Sequence, residues 1–115
     1  MYEYNAQVIN VVDADTVDAR VDVGFNITIV ERLRLAKIDA PEIRTDAGRA
    51  AKTWVIKELL KHNMWVRIST DKDDSFGRWI AEIYLGVDKL HTGPVELVSL
   101  NDEMVRLGYA VYKSY

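Results

Sequence analysis

The chain has 115 residues, 49% of them hydrophobic and 29% charged, with a formal net charge of −3 and a sequence pI near 5.3. That length reads as one domain, residues 1–115, large enough for a true core, and the composition excludes a disordered or membrane-embedded chain. No apolar run approaches the roughly 20 residues of a spanning helix, and zero cysteines exclude disulfides and thiolate metal sites.

The opening Met1-Tyr2-Glu3-Tyr4-Asn5 lacks the basic and then apolar pattern of a signal peptide, which favours a cytoplasmic protein unless a processed leader is missing. Ala6 to Val12 is apolar-rich and reads as a strand running into Asp13-Ala14-Asp15. Thr16 to Val23 alternates: Val17, Ala19, Val21 and Val23 share one parity and Asp18, Arg20 and Asp22 the other, so one face is buried and one wet. Gly24 to Asn26 supplies a turn. Ile27 to Ile38 follows as a long third strand, bent or bulged near Glu31 and Arg32. These three strands form a meander.

Pro41 cannot continue a strand ladder, so the chain turns at Asp39-Ala40-Pro41-Glu42. The proline fixes its own φ and biases Ala40 toward an extended conformation, which holds two carboxylates on a stiff corner. Thr45 or Asp46 then caps a helix in which Ala47, Ala51, Val55 and Leu59 recur at spacing four, with Asn63 as its stop. Met64 to Thr70 and Arg78 to Leu85 read as two further strands joined by Asp71 to Gly77, and Gly86 to Val95 as a second turn region. Ser99 or Asn101 caps a short helix whose Leu100, Met104 and Leu107 face one way, with Gly108 as a left-handed stop. The order of three strands, a helix and two strands suits a closed barrel of about five strands.

The charge is unevenly spread. Residues 1–30 hold one base against five acids, residues 31–57 seven bases against four acids, and the remainder seven against nine. Positive charge therefore gathers beside the acidic corner, where it suits a local phosphate site or a solvated helix face.

Three motifs carry possible chemistry. Asp13-Ala14-Asp15-Thr16 offers hard carboxylate oxygens to calcium or magnesium, and the same Asp-x-Asp pattern also serves turns between strands. Asp39 and Glu42 flank Pro41, again a site or a turn. Phe76-Gly77-Arg78 sends an arginine out of a glycine turn, where it is a phosphate ligand or an exposed strand residue paired with Glu82. Asp71, Asp73, Ser75 and Glu82 copy part of an EF-hand spacing, but Phe76 stands where that loop needs glycine, which rules it out.

Taken together, Asp-x-Asp-Thr, Arg34-Leu-x-x-Ile-Asp-Ala-Pro-Glu42 after one hairpin, a helix, Phe-Gly-Arg opening a strand, and Leu-Asn before a helix ending in glycine resemble the staphylococcal nuclease (thermonuclease) family from about Val8 to Tyr112. The hairpin ending Asp22-Val-Gly-Phe25 resembles its compact bacterial and phage versions. The resemblance implies a mainly β (α+β) fold: a five-stranded oligonucleotide/oligosaccharide-binding (OB-fold) barrel, one helix between strands 3 and 4 and a short helix near the C-terminus. It implies a calcium-dependent nuclease that hydrolyses phosphodiester bonds of DNA and/or RNA, single strands foremost, with no membrane partner.

By motif position, Asp15 and Asp39 would bind calcium with the Ala40 backbone carbonyl, and Asp13 would lie near the ion without touching it. Arg34 and Arg78 would hold the scissile phosphate, Phe76 would contact the nucleotide, and Glu42 would deprotonate or orient the attacking water. Three positions depart from the family: Ala14 for a common glycine, Ala40 for the type enzyme's threonine and Phe76 for a tyrosine. The acidic balance also departs from the basic type enzyme, which implies weaker, more salt-sensitive binding to long nucleic acid. The alternative reading is a catalytically silent OB-fold module that binds nucleic acid or a protein, though such a module has no need of Asp15, Arg34, Asp39, Glu42 and Arg78 together.

Overall fold

The computed structural model describes residues 2–73, 79–86 and 97–113. In chain order it runs β1 (Tyr2–Asp13), β2 (Thr16–Gly24), β3 (Ile27–Leu35), β4 (Ile38–Asp39), α1 (Asp46–Leu60), β5 (Trp65–Asp73), β6 (Trp79–Leu85), β7 (Val98–Ser99), α2 (Leu100–Arg106) and β8 (Val111–Tyr112). The antiparallel β1-β2-β3 meander matches the alternation read from the sequence, with Val17, Ala19 and Val21 buried on β2. On β1 the buried positions change parity, from Ala6 and Val8 to Val11. The cause is a register shift between Val8 and Asn10, whose extra residue turns the strand over and leaves Ile9 exposed.

The expected five-stranded closed OB-fold barrel is corrected by the strand order. The main sheet has six described strands, ordered β3-β2-β1-β5-β6-β7, and β4 and β8 form a second sheet of two. Within the larger sheet, β3 also runs parallel to β6 over Leu33↔Trp79, Arg34↔Ile80 and Leu35↔Ala81, which makes the sheet mixed. Two local causes produce the difference. The expected third strand, Ile27 to Ile38, breaks where Lys37 adopts φ 63, a left-handed conformation, and Ile38–Asp39 then pairs with Val111–Tyr112 instead. Val98–Ser99 adds a short edge beyond β6.

Helix α1 begins at Thr45, whose side chain accepts the Gly48 N–H, so Thr45 and not Asp46 is its cap. Its buried stripe is Gly48, Ala51, Val55 and Leu59; Ala47, expected in that stripe, is exposed. Trp54 stacks on Tyr109, with ring centroids 5.1 Å apart. Ser99 caps α2 by accepting the Asp102 N–H. Leu100, Asn101 and Met104 are its buried residues, Leu107 is 46% exposed, and Gly108 ends the helix at φ 85. The core lies between the sheet and these helices, and includes Leu33, Leu35, Ile38, Leu59, Ile83 and Met104. Among the described residues no helix is long and apolar enough to cross a membrane.

Candidate functional site

The β1-β2 turn, the end of β3 and the proline corner meet at one place. In the turn, the Asp13 side chain accepts the Asp15 N–H at 3.1 Å, so the turn and site readings of this motif describe the same residues. Ala14 is buried and does not take a positive φ, as alanine requires. Asp15 then points inward: its Oδ2 accepts the Ala40 N–H at 2.9 Å, its Oδ1 accepts the Thr16 hydroxyl, and its carbonyl accepts the Leu35 N–H. One buried residue thereby ties the first turn to the end of β3 and to the corner.

Arg34 fills the space beneath. Its side chain is 12% exposed, and Nη2 lies 3.4 Å from Asp15 Oδ2 and 3.2 Å from Asp39 Oδ1. The same group donates to backbone: Nη1 to Leu35 O at 2.9 Å, and Nη2 to Ile38 O at 3.0 Å. With a further bond from Nη1 to Asp15 O at 3.4 Å, the planar fork satisfies two carboxylates and three carbonyls at once, which a lysine ammonium cannot do. Burial pushes the Asp15 carboxyl above its ordinary value, helped by the neighbouring Asp13, while the Ala40 N–H and the Arg34 guanidinium oppose the shift. Asp39 is more exposed, and its Oδ2 also lies 3.7 Å from Lys113 Nζ. Its backbone is fixed by pairing with Val111.

Glu42 stands apart from this cluster. Its side chain is 67% exposed and pairs with Arg44 Nε at 2.6 Å. Its backbone is held tightly, because the Glu42 carbonyl accepts both the Thr45 N–H and the Thr45 hydroxyl. The structure thus gathers Asp13, Asp15, Arg34, Asp39 and Ala40 into one set of contacts and places Glu42 two residues past Ala40 on the same corner. Phe76 and Arg78 lie outside the described residues, as do the Asp74 to Gly77 turn, the Arg78 to Glu82 pairing and most of the Gly86 to Val95 region.

Two further residues shape the site without belonging to the motifs that carry its chemistry. Asn101 reads in the sequence as a possible cap and as part of the Leu-Asn motif, and its buried side chain bonds to three backbone groups on β6 and at the end of β3. Gly48 looks like a weak point in a helix, and its role emerges only from what lies against it. An asparagine after a helix cap and a glycine inside an apolar stripe were the available signals.

Chemically, the cluster is a buried guanidinium flanked by hard oxygen donors, suited to an oxyanion and a hard cation. Asp15, Asp39 and a carbonyl such as that of Ala40 match the oxygen preference of calcium, which would need water or substrate to complete its six to eight ligands. Among the described residues no group of three or more His, Cys, Asp or Glu side chains is gathered at metal-binding spacing.

The model of the staphylococcal nuclease homologue family matches residues 32–115, and the chain belongs to that family. It is 30% identical over 114 residues to a micrococcal nuclease of Shigella flexneri, covering 98% of this chain and 61% of that protein. An uncharacterized endonuclease of Escherichia coli O157:H7 is 31% identical over 114 residues, covering 98% and 64%. Protein ParB of Escherichia coli is 29% identical over 109 residues, covering 94% and 56%. The chain thus spans less than two thirds of the length of these relatives.

Proposed function

We propose that this chain is a nuclease that hydrolyses phosphodiester bonds of DNA and/or RNA, single strands foremost, with calcium as its cofactor. The observation that carries the reading is the position of Arg34, wedged between Asp15 and Asp39 at the foot of a corner that also bears Glu42. Family membership and the printed names of two relatives, a micrococcal nuclease and an endonuclease, agree with it.

A phosphodiester resists hydrolysis because its own charge repels the nucleophile and more negative charge builds at phosphorus on the way to the transition state. Asp15, Asp39 and the Ala40 carbonyl would hold calcium, which when bound supplies Lewis-acid stabilisation of that charge. Arg34 is already oriented by backbone carbonyls, and the N–H that now faces the Asp39 carboxylate would turn to a nonbridging oxygen, so the side chain need not be ordered when substrate arrives. Arg78 serves as the second arginine and Phe76 as a nucleotide contact. Glu42 accepts or orients the proton of the attacking water. One P–O bond forms to the water oxygen, the P–O bond to the leaving oxygen breaks, and a proton reaches that oxygen.

The test is cleavage of single-stranded DNA by the purified protein in calcium, in magnesium and in excess chelator, with Glu42→Gln alongside. Calcium-dependent cleavage that falls by orders of magnitude in the variant is expected. A folded protein with no cleavage in any condition, or a variant with full turnover, overturns the reading.

A further inference from the structure

Alanine is a better helix former than glycine, so a glycine in the first turns of α1 calls for a reason outside the helix. Gly48 is buried there, directly against the proline corner. A Cβ at this position would lie 1.9 Å from the Glu42 carbonyl oxygen, 2.5 Å from the Glu42 carbonyl carbon and 2.9 Å from the Pro41 carbonyl oxygen. All three neighbours are backbone, so no side chain can rotate out of the way.

The opposite side of the same carbonyl is clamped. Thr45 donates to Glu42 O twice, from its N–H at 3.0 Å and from its hydroxyl at 2.7 Å. The hydroxyl oxygen in turn accepts the Gly48 N–H at 3.0 Å. Glu42 is thus held by two donors on one side and a bare Cα on the other, and any atom added to that Cα displaces its main chain. From these contacts we infer that Gly48 is a positioning residue: its missing side chain seats the Glu42 backbone on helix α1 and so sets the point from which the Glu42 carboxylate reaches toward the substrate. The inference rests on the nuclease reading of Glu42 given above.

Gly48→Ala must move the Glu42 carbonyl by roughly 1.5 Å to restore ordinary contact, and a misplacement of about 1 Å already costs about 100-fold in rate. The loss belongs in kcat, because Asp15, Asp39 and Arg34 are tied by contacts that do not pass through Gly48; KM and calcium affinity stay near their starting values. A residue needed only for folding would instead lower the active fraction and leave kcat per folded molecule unchanged.

The experiment measures single-turnover cleavage of single-stranded DNA in saturating calcium for the native chain, Gly48→Ala, Glu42→Gln and the double variant, with the folded fraction of each read by circular dichroism. The expected result is a large kcat loss in Gly48→Ala and no further loss when it is added to Glu42→Gln, the non-additivity of residues that act as a unit. If Gly48→Ala does not fold, Thr45→Asp takes its place: aspartate remains an N-cap acceptor for the Gly48 N–H but, ionised, has no donor for Glu42 O. Native turnover in folded Gly48→Ala, equal losses in both backgrounds, or unfolding of both variants overturns the positioning role. Native turnover in Glu42→Gln would instead overturn the reading of Glu42 itself, so the two failures are told apart.

Discussion

Replacing Asn101 by leucine is expected to cost about 4 kcal/mol of stability, a large part of the margin of a small domain. Asn101 is 2% exposed, and its Oδ1 accepts the Ile83 N–H at 3.1 Å while its Nδ2 donates to Ala36 O at 3.0 Å and Ala81 O at 3.3 Å. Leucine is of similar size and leaves little room for a replacement water. Ala81 O keeps the Ala36 N–H at 2.8 Å, so the two groups left without Asn101 are the Ile83 N–H and the Ala36 carbonyl. Each orphaned backbone group costs roughly 1–3 kcal/mol, which brackets the total. With a urea slope of about 2 kcal/mol/M the unfolding midpoint should fall by roughly 2 M. Equilibrium urea unfolding in chelator, followed by two probes to check two-state behaviour, measures it. A midpoint within about 0.5 M of the native chain's would refute the claim that this asparagine links α2 to β6 and the end of β3.

Calcium at 100 times its Kd should stabilise the folded chain by about 2.7 kcal/mol, a rise of roughly 10 °C in Tm; Asp15→Ala and Asp39→Ala should each abolish most of that rise, and an equal rise in all three proteins would exclude these ligands. Arg34→Lys should lower turnover about 100-fold or more and also lower Tm, because one ammonium cannot replace donors on Leu35 O, Ile38 O and two carboxylates; native kinetics in this variant would remove Arg34 from the mechanism. The Arg32 guanidinium, bonded to Asp18 at 2.8 Å, holds the Asp18 carboxyl below its ordinary 3.8. A depressed carboxylate stabilises the fold above the unfolded value and loses that contribution as pH falls through the folded one. Asp18→Asn should therefore be less stable than the native chain by under about 1 kcal/mol at neutral pH, with the gap narrowing as pH falls below about 4; a gap that does not narrow on acidification in urea titrations would contradict the assignment.

Local patterns carried most elements. The alternation of β2, the apolar spacing of α1 and the proline corner each depend on residues within a few positions, and each was readable as such. What was not readable depends on distant partners. Lys37 has no side-chain feature that announces a left-handed turn, and the split of the expected third strand follows from Asp39 pairing with Val111, 72 positions away. The parallel contact between β3 and β6 likewise joins segments separated by a helix and two strands. Of the site, Asp15, Arg34 and Asp39 were legible as motif members, but nothing in the sequence said that one guanidinium would serve both carboxylates. Ala47 was expected in the buried stripe because alanine is apolar, whereas the helix turns its Gly48 inward to admit a neighbouring main chain.

The corner gains its stiffness from several unrelated contacts, each fixing a different peptide. Ile38 O accepts Arg34, Asp39 pairs with Val111, Ala40 N donates to Asp15, Pro41 fixes its own φ, and Glu42 O accepts Thr45. Five consecutive residues therefore have little backbone freedom to lose when substrate binds, which is the condition for cheap positioning. The side chains are held unequally. Asp15 and Arg34 are buried and mutually bonded, whereas the Glu42 carboxylate rests on Arg44 in an exposed pair worth about 1 kcal/mol or less. Breaking that pair costs little, so under the proposed nuclease reading the carboxylate, carried on a fixed backbone, would leave Arg44 for the attacking water. On this view Arg44→Ala changes turnover only slightly, while a shift of the main chain beneath Glu42 cannot be compensated by any rotation of its side chain.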